Sequence, residues 1–325
     1  MQVGSKTENP QDPLDPVAQS HPARTLTAID SVGVVRGVHG DFFMPRNDLI
    51  MKQTRTFGAH TRPEIALVRS FVNPGDVIVD VGAHVGTFTI PLAGSTGFEG
   101  RVLAFEPFAE SRDLLEFNVV LNGLERIIDV IPYALSAAES RYFVVPNQTA
   151  NSGASHLRPD EPEPDPPRRR STDPPNVDGP EDDAGPDECD GSGVAVTVDA
   201  MSLDGYLAEY EPGLEDLSLI KIDVEGMEEA VLLGAAKALE TFRPILYFEV
   251  AAGHAARFGL RGASHIDALV GLEYRFFRND GPRNAADDDF TLRPVAPAMA
   301  QEMVAADVVA DLLALPKGLV PEESR

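Results

Sequence analysis

The chain has 325 residues and a formal net charge of −25, because 52 acidic residues outnumber 27 basic ones. So acidic a surface would repel nucleic acid and anionic membranes, which bind proteins largely through the neutralisation of phosphate charge. The sequence lacks a run of about 18 apolar residues, so no membrane span is expected, and the lone Cys189 excludes a disulfide framework or a cysteine metal cluster within one chain.

The charge balance also bears on the environment of the protein. Arginine accounts for 22 of the 27 basic residues, and a strongly acidic chain tolerates its own repulsion when salt screens it. We interpret this as adaptation to salt, as in a halophile, with a high-GC genome as the alternative source of the arginine. The N-terminus lacks the charged-then-apolar pattern of a signal peptide, which predicts a cytoplasmic protein.

The N-terminal part of the chain changes character twice. Residues 1–24 are polar and proline-rich without hydrophobic periodicity, which predicts a disordered tail. Residues 25–60 predict a small N-terminal subdomain of short strands and turns. A helix is expected over 63–71, with proline in its first turn. Its Glu64 could reach a bound ligand, but a solvated first-turn acid is the favoured interpretation.

A glycine-rich turn follows a short buried strand at 77–81. The turn has the spacing Asp-x-Gly-x-x-x-Gly over Asp80, Gly82 and Gly86, and helical spacing follows it. Such a turn presents backbone N–H groups to a ligand, which the glycines allow to come close. It is not the Gly-x-Gly-x-x-Gly of dinucleotide enzymes, and Asp80 would repel a pyrophosphate. The turn therefore predicts a cationic, hydroxyl-bearing ligand such as S-adenosylmethionine (SAM), and the alternative is an ordinary turn with incidental glycines.

A second acid ends the next predicted strand, at 101–105. Glu106 lies 26 positions after Asp80 and is followed by Pro107, which stops the strand. In a doubly wound sheet, an acid at the tip of the second strand lies where a ribose diol binds. Alone, Glu106 would be a solvated loop acid; paired with Asp80, it is interpreted as a ligand contact.

The rest of the chain alternates predicted strands and helices, which indicates an α/β sheet wound on both faces. Further strands are expected at 127–131, 141–145, 194–198, 217–223 and 244–250, with a final hairpin from 274–277 and 290–292. Further helices are expected at 111–122, 201–207, 227–239 and 298–315. An insert at 158–193 interrupts this pattern. Its residues 159–190 hold 12 acids and 9 prolines against 3 arginines, so it is expected to be disordered.

A second set of charged residues lies around the strand at 217–223. Side-chain alternation places Lys221, Asp223 and Glu225 on one face. Lys221 and Asp223 could form a buried ion pair with a purely structural role. Asp223 and Glu225 nevertheless lie at the carboxyl end, where ligands bind, and Glu249 ends the neighbouring strand in the same way. These three carboxylates are candidates for a general base that deprotonates a substrate hydroxyl, or for ligands of a divalent cation, and the spacing selects neither.

Together these stretches resemble the FkbM family of SAM-dependent methyltransferases. The resemblance is carried by residues 74–86, by Phe105-Glu-Pro107 and by the run Ile220-Lys-Ile-Asp-Val-Glu-Gly-Met-Glu228. It covers roughly residues 60–157 and 194–280. The resemblance implies a class I, Rossmann-like fold, mostly parallel with a C-terminal antiparallel hairpin. The methyltransferase domain would span 61–295, followed by a C-terminal helix and tail at 296–325.

Carried over residue by residue, the resemblance implies which side chains form the site. SAM would be bound by Asp80, Gly82, Ala83, His84, Gly86, Glu106 and Ala134. Asp223, Glu225 and Glu249 would line the catalytic site. His84 stands where the family usually has asparagine, although both side chains offer a donor and an acceptor. His84 and His254 are further base candidates, but a lone histidine is more often just a polar residue.

The implied activity is O-methylation of a hydroxyl on a sugar, a glycolipid or a secondary metabolite. The expected partner is therefore a small-molecule or glycan acceptor, with SAM as cofactor; a divalent metal and the oligomeric state are left open. A nicotinamide-dependent oxidoreductase is the first alternative, disfavoured by the missing Gly-x-Gly-x-x-Gly. A non-catalytic protein that binds SAM or a nucleotide is the second, and the carboxylates Asp223 and Glu225 argue for catalysis instead.

Overall fold

The computed structural model describes residues 32–95, 97–145, 153, 155–159, 196–251, 263–305 and 309–319. The predicted tail at 1–24, nearly all of the predicted insert and His254 lie outside these residues. The predicted insert includes Arg158 and Pro159, but these two residues end a strand. No helix among the described residues has the length and apolar character to cross a membrane.

The described residues form strands and helices that largely follow the predicted alternation. The strands are β1 (Val32–Gly37), β2 (Gly40–Pro45), β3 (Val77–Val81), β4 (Arg101–Phe105), β5 (Ile128–Ile131), β6 (Ala134–Leu135), β7 (Ser140–Val145), β8 (His156–Pro159), β9 (Thr197–Met201), β10 (Leu219–Ile222), β11 (Ile245–Ala251), β12 (Arg275–Asn279), β13 (Leu292–Val295) and β14 (Val309–Leu315). The helices are α1 (Leu49–Phe57), α2 (Arg62–Arg69), α3 (Thr89–Ala93), α4 (Ala109–Leu121), α5 (Leu203–Tyr210), α6 (Glu228–Leu233), α7 (Ala236–Phe242), α8 (Ser264–Gly271) and α9 (Pro297–Ala305).

The central sheet of the described residues has the strand order β13-β12-β14-β11-β10-β3-β4-β5. Strands β11, β10, β3, β4 and β5 run parallel, and β14, β12 and β13 are antiparallel to their neighbours. Apolar side chains pack on both faces: Val79 and Val81 of β3 belong to one core, and Ile78 belongs to the other. Burial on both faces explains the continuous apolar runs in these strands. The predicted α/β fold with a C-terminal antiparallel hairpin is confirmed.

The C-terminal segment corrects one prediction. Helix α9 ends at Ala305, and residues 309–315 form β14, which inserts between β11 and β12. The single helix predicted over 298–315 is therefore wrong for its last seven residues. Leu312 packs into one core and Leu313 into the other, so this stretch is buried on both faces. A short apolar run of that kind fits a buried strand as well as a helix, and periodicity alone does not separate the two.

The single helix predicted over 227–239 is observed as two helices, α6 and α7, which are separated where two backbone segments lie in contact. Gly234 lies between α6 and α7, and a Cβ placed on it would lie 2.0 Å from the carbonyl oxygen of Ser136. Only glycine fits there, because any side chain would overlap the neighbouring backbone. The segment after β6 is thereby held against the end of α6.

The β1–β2 hairpin is tied to the glycine turn through one buried amide. Asn118 of α4, which is 0% exposed, accepts a hydrogen bond from the N–H of Phe43 at 2.6 Å. Its Nδ2 donates to the carbonyl of Phe43 at 3.0 Å and to the carbonyl of Val85 at 2.9 Å. Since Val85 lies inside the glycine turn, Asn118 links the N-terminal hairpin to the loop after β3.

Replacing this amide should therefore destabilise the fold. Asn118→Ala removes three hydrogen bonds and leaves buried backbone groups without partners, so the free energy of unfolding should fall by about 2–4 kcal/mol. The measurement is urea unfolding, with Glu116→Ala on the exposed face of α4 as the control. Equal stability of the two variants would show that the amide does not hold the hairpin in place.

Candidate active site

The candidate site lies at the carboxyl ends of β3, β4, β10 and β11, where ligands bind in parallel sheets. Gly82 follows β3 with a φ of +77°, and a Cβ on it would lie 2.0 Å from the carbonyl oxygen of Asp223. The turn after β3 and the end of β10 are thus in backbone contact. This position requires glycine both for its left-handed conformation and for the space it occupies.

A buried ion pair lies directly beneath the turn. Nζ of Lys221 lies 3.1 Å from Oδ1 of Asp80, its neighbour on the adjacent strand, and donates a hydrogen bond to the carbonyl of Gly82 at 3.0 Å. The hydroxyl of Thr89 donates to Oδ2 of Asp80 at 2.6 Å. Burial lowers the pKa of Lys221, but the charges of Asp80 and Asp223 outweigh it and the pKa is raised. Lys221 therefore stays charged, and its ion-pair partner is Asp80 rather than Asp223 as the sequence suggested.

Glu106 closes the other side of the turn. Its side chain is 3% exposed and accepts hydrogen bonds from the N–H of His84 at 2.7 Å and of Phe108 at 2.8 Å. Burial raises the pKa of Glu106 to about 7, although these hydrogen bonds favour the ionised form. Burial also lowers the pKa of His84 to about 4, so its imidazole is neutral at neutral pH and a weak base.

Two clefts meet at this turn. The narrow cleft has a free volume of about 550 Å³ with the open solvent at its mouth included, a polar floor at Gly82 and Glu106, and apolar walls that include Phe108 and Leu135. The wide cleft has a free volume of about 1140 Å³ on the same measure and mostly polar walls. Both clefts are lined by Gly82, His84, Gly153, Asp223 and Glu225, which we call the shared rim.

The structure brings together most of the residues that the sequence singled out. Asp223 and Glu225 lie on the shared rim, Glu249 and Ala83 line the wide cleft, and Glu106 and Ala134 line the narrow cleft. Asp80 and Gly86 line neither of these two clefts. Gly86 has a φ of +92° and packs against Leu115. Asp80 and Gly86 therefore shape the turn from beneath it.

Glu64 is the clearest error of the sequence interpretation. Its place in the first turn of a helix predicts a solvated acid, but Glu64 is 3% exposed and lines the wide cleft. It accepts hydrogen bonds from the hydroxyl of Tyr247 at 2.9 Å and from Nδ2 of Asn279 at 3.0 Å. Burial raises the pKa of Glu64. Tyr247 and Asn279 are 183 and 215 positions away, so no local pattern could have indicated this contact.

The wide cleft contains a second ion pair that the sequence did not predict. Asp311 of β14 faces Glu249 across the β11–β14 pairing, and its Oδ2 lies 2.9 Å from Nη2 of Arg283. Burial raises the pKa of Asp311 to about 7, although Arg283 opposes the shift. Burial, together with the negative charges of Asp223 and Asp311, raises the pKa of Glu249 to about 9. Protons thus neutralise part of the excess acid in this cleft at neutral pH.

Glu228 fixes the turn that carries Glu225. Its Oε1 accepts hydrogen bonds from the N–H of Val224 at 3.0 Å and of Gly226 at 3.2 Å. Glu225 itself has a φ of +55°, which is uncommon for a residue with a side chain. Burial raises the pKa of Glu228 to about 7. Glu228 ends the run Ile220–Glu228 that carries the family resemblance, but the sequence alone predicts no role for it.

The sequence leaves open whether Asp223, Glu225 and Glu249 hold a divalent cation. Within the part of the chain that the structure describes, no three His, Cys, Asp or Glu side chains are arranged to hold a metal ion. The three carboxylates face the same space without forming a ligand set.

Known proteins resemble the chain over this region. The family profile of the methyltransferase FkbM domain matches residues 80–278, more than half of the chain. The methyltransferase sdnD of Sordaria araneosa is 30% identical over 167 residues, which is 48% of this chain and 59% of the relative. The chain thus spans less than two thirds of that relative.

Two solved structures are also similar. The methyltransferase FkbM of Methylobacillus flagellatus KT is 17% identical and has a TM-score of 0.36, with coverage of 75% of this chain and 53% of the other. A precorrin-6y C5,15-methyltransferase of Geobacter metallireducens GS-15 is 10% identical with a TM-score of 0.36, and the coverage is 78% and 87%.

The ion pair beneath the turn can be tested by a double-mutant cycle. Asp80→Asn leaves the Lys221 ammonium buried without its counter-charge, and Lys221→Met does the same to Asp80, so each should lower the free energy of unfolding by about 3–5 kcal/mol. The double variant should be more stable than the sum of the two losses predicts. Strictly additive losses in urea unfolding would mean that the two groups do not interact.

The buried acid at Glu228 predicts an unusual dependence of stability on pH. Its raised pKa means that the folded state holds a proton which the unfolded chain has released, so its stabilising contribution is lost as pH rises from about 4.5 to 7. Glu228→Gln keeps the acceptor oxygen but does not titrate.

The measurement is urea unfolding of both proteins at fixed high salt. The wild type should lose up to about 3 kcal/mol relative to Glu228→Gln between pH 4.5 and 8. Parallel pH profiles for the two proteins would contradict this account of Glu228.

Proposed function

The chain belongs to the FkbM family of methyltransferases, and from this membership we propose that it methylates a hydroxyl oxygen of a sugar, glycolipid or secondary metabolite. The observation that carries the proposal is the meeting of the narrow and wide clefts at the shared rim. A cofactor on one side and an acceptor on the other would face each other there. Positioning of two reactants in this way is a large part of catalysis in group transfer.

The narrow cleft has the chemistry that SAM requires. After accepting two backbone hydrogen bonds, the Glu106 carboxylate still has lone pairs for a ribose diol. Phe108 and Leu135 offer apolar surface to an adenine, and Gly82 lets the backbone come close. SAM would thus be held by Gly82, His84, Glu106 and Ala134, which line the narrow cleft, while Asp80 and Gly86 act through the shape of the turn and Ala83 faces the wide cleft. When bound, SAM supplies an electrophilic methyl group.

Asp223 is the carboxylate best placed to take the proton of the acceptor hydroxyl. It lies on the shared rim and is exposed to the cleft, beside Glu225. Glu249 lies away from the narrow cleft, and its raised pKa leaves it protonated at neutral pH. A protonated carboxyl cannot accept the proton, so Glu249 is better suited to contact the acceptor.

If Asp223 is the base, replacing it should lower the turnover rate without weakening the binding of SAM. Asp223→Asn keeps the size of the side chain but removes the base, so kcat should fall at least about 100-fold. The affinity for SAM should stay within about threefold, because Asn preserves the shape of the rim. Asp216→Asn, an exposed acid before the start of β10, removes the same charge away from both clefts and serves as the control.

The rate is measured as transfer of a labelled methyl group to an acceptor found by screening sugars, glycolipids and polyketide-type alcohols. The affinity for SAM is measured by titration calorimetry. An unchanged kcat in Asp223→Asn would remove Asp223 from the mechanism. Methylation of nitrogen, carbon or sulfur rather than oxygen would overturn the proposed reaction.

A further inference from the structure

We infer that the wide cleft binds an acceptor with a positively charged amine near the hydroxyl that is methylated, as in an amino sugar. The inference rests on the proposed function, because it takes the wide cleft as the acceptor side. It depends on two independent observations: the charge balance of the cleft wall, and one buried hydroxyl that makes no hydrogen bond.

Carboxyl groups outnumber cationic groups in the wall of the wide cleft. Among the described residues that line it, the carboxyl groups are Glu64, Asp223, Glu225, Glu249 and Asp311, and the cationic groups are Lys221 and Arg283. Lys221 is held by Asp80, which lies outside the lining, and Arg283 by Asp311. His60 adds no charge, because burial lowers its pKa to about 4. Carboxyl groups therefore outnumber cations among the described residues of this wall, although Glu249 is protonated at neutral pH.

Thr61 supplies the second observation. Its side chain is 5% exposed and lines the wide cleft, and its hydroxyl has no hydrogen-bond partner among the described residues. Thr61 precedes α2, where a threonine hydroxyl often caps the helix, but its φ of 44° prevents that contact. A buried hydroxyl without a partner is costly. A polar ligand in the cleft would supply the missing hydrogen bond.

The chemistry of the wall selects among polar ligands. An acceptor with phosphate groups would add negative charge to a wall that is already acidic, and like charges repel at short range. A neutral polyol could satisfy Thr61 but would leave the excess acid unchanged. An ammonium group beside hydroxyls meets both requirements, because it offsets the acid while its neighbouring hydroxyls bond to Thr61.

Binding of a cation should be coupled to proton release. Glu249 is faced by the acids Asp223, Glu225, Glu228 and Asp311, with Arg283 as the nearby cation, and burial and these acids raise its pKa to about 9. Glu64 and Lys221 line the same cleft. An ammonium group near Glu249 would favour the ionised carboxylate, which lowers that pKa and releases a proton. The affinity should therefore increase as pH rises from 7 towards the pKa of the amine.

The test uses titration calorimetry of the full chain at high salt, first with S-adenosylhomocysteine and then with three sugar probes. The probes are glucosamine, N-acetylglucosamine and glucose, which differ mainly in the charge at one position. Glucosamine should bind at least about tenfold more tightly than the two neutral sugars. Repetition in buffers of different ionisation enthalpy should show proton release with glucosamine alone.

A pair of variants locates the effect. Glu249→Gln should reduce the preference for glucosamine at least about fivefold and abolish its proton release. Glu240→Gln, exposed on α7, should change neither. Equal or tighter binding of a neutral sugar, binding without proton release, or no binding of glucosamine at millimolar concentration would each overturn the inference. Failure of S-adenosylhomocysteine to bind would instead overturn the proposed function on which it rests.

Discussion

The ion pair between Lys221 and Asp80 is the interaction on which the site depends. Charged side chains are rare in central parallel strands, and this pair joins two such strands while Lys221 also holds the carbonyl of Gly82. Removing one partner would leave the other as an unpaired buried charge. This lowers the free energy of unfolding far more than replacing both partners with apolar residues does. This contact, together with the hydrogen bonds that the N–H groups of Gly82 and Ala83 donate to the carbonyl of Phe105, fixes the position of the turn and with it the floor of the narrow cleft.

The two clefts that meet at the turn differ in the polarity and charge of the residues that line them. The narrow cleft combines a buried acid with apolar walls, whereas the wide cleft is lined by several acids and few cations. Burial raises the pKa values of Glu106, Glu249 and Asp311, and repulsion by neighbouring acids adds to the shift of Glu249 and Asp311. Asp223 is exposed on the rim that both clefts share. Neighbouring carboxyl groups are thus placed in different environments, and this difference suits them to different roles.

The sequence was most informative where the site depends on residues that are close to one another in the chain. The strand, the glycine turn and the acid at Glu106 could be predicted because each follows from a local pattern. Glu64 and Asp311 could not, because the residues that they contact in the wide cleft lie on elements distant in the chain. Strand β14 was missed for a related reason: an apolar run buried on both faces has no period that distinguishes it from a helix.

The central claim is that the glycine turn and Glu106 form a site for SAM and not for a dinucleotide. The most direct measurement is titration calorimetry of the full chain with SAM and, separately, with NAD, in roughly 1 M salt to screen the acidic surface. The account predicts that SAM binds to one site per chain and that NAD gives no heat of binding. Binding of NAD, or of neither compound, would contradict it.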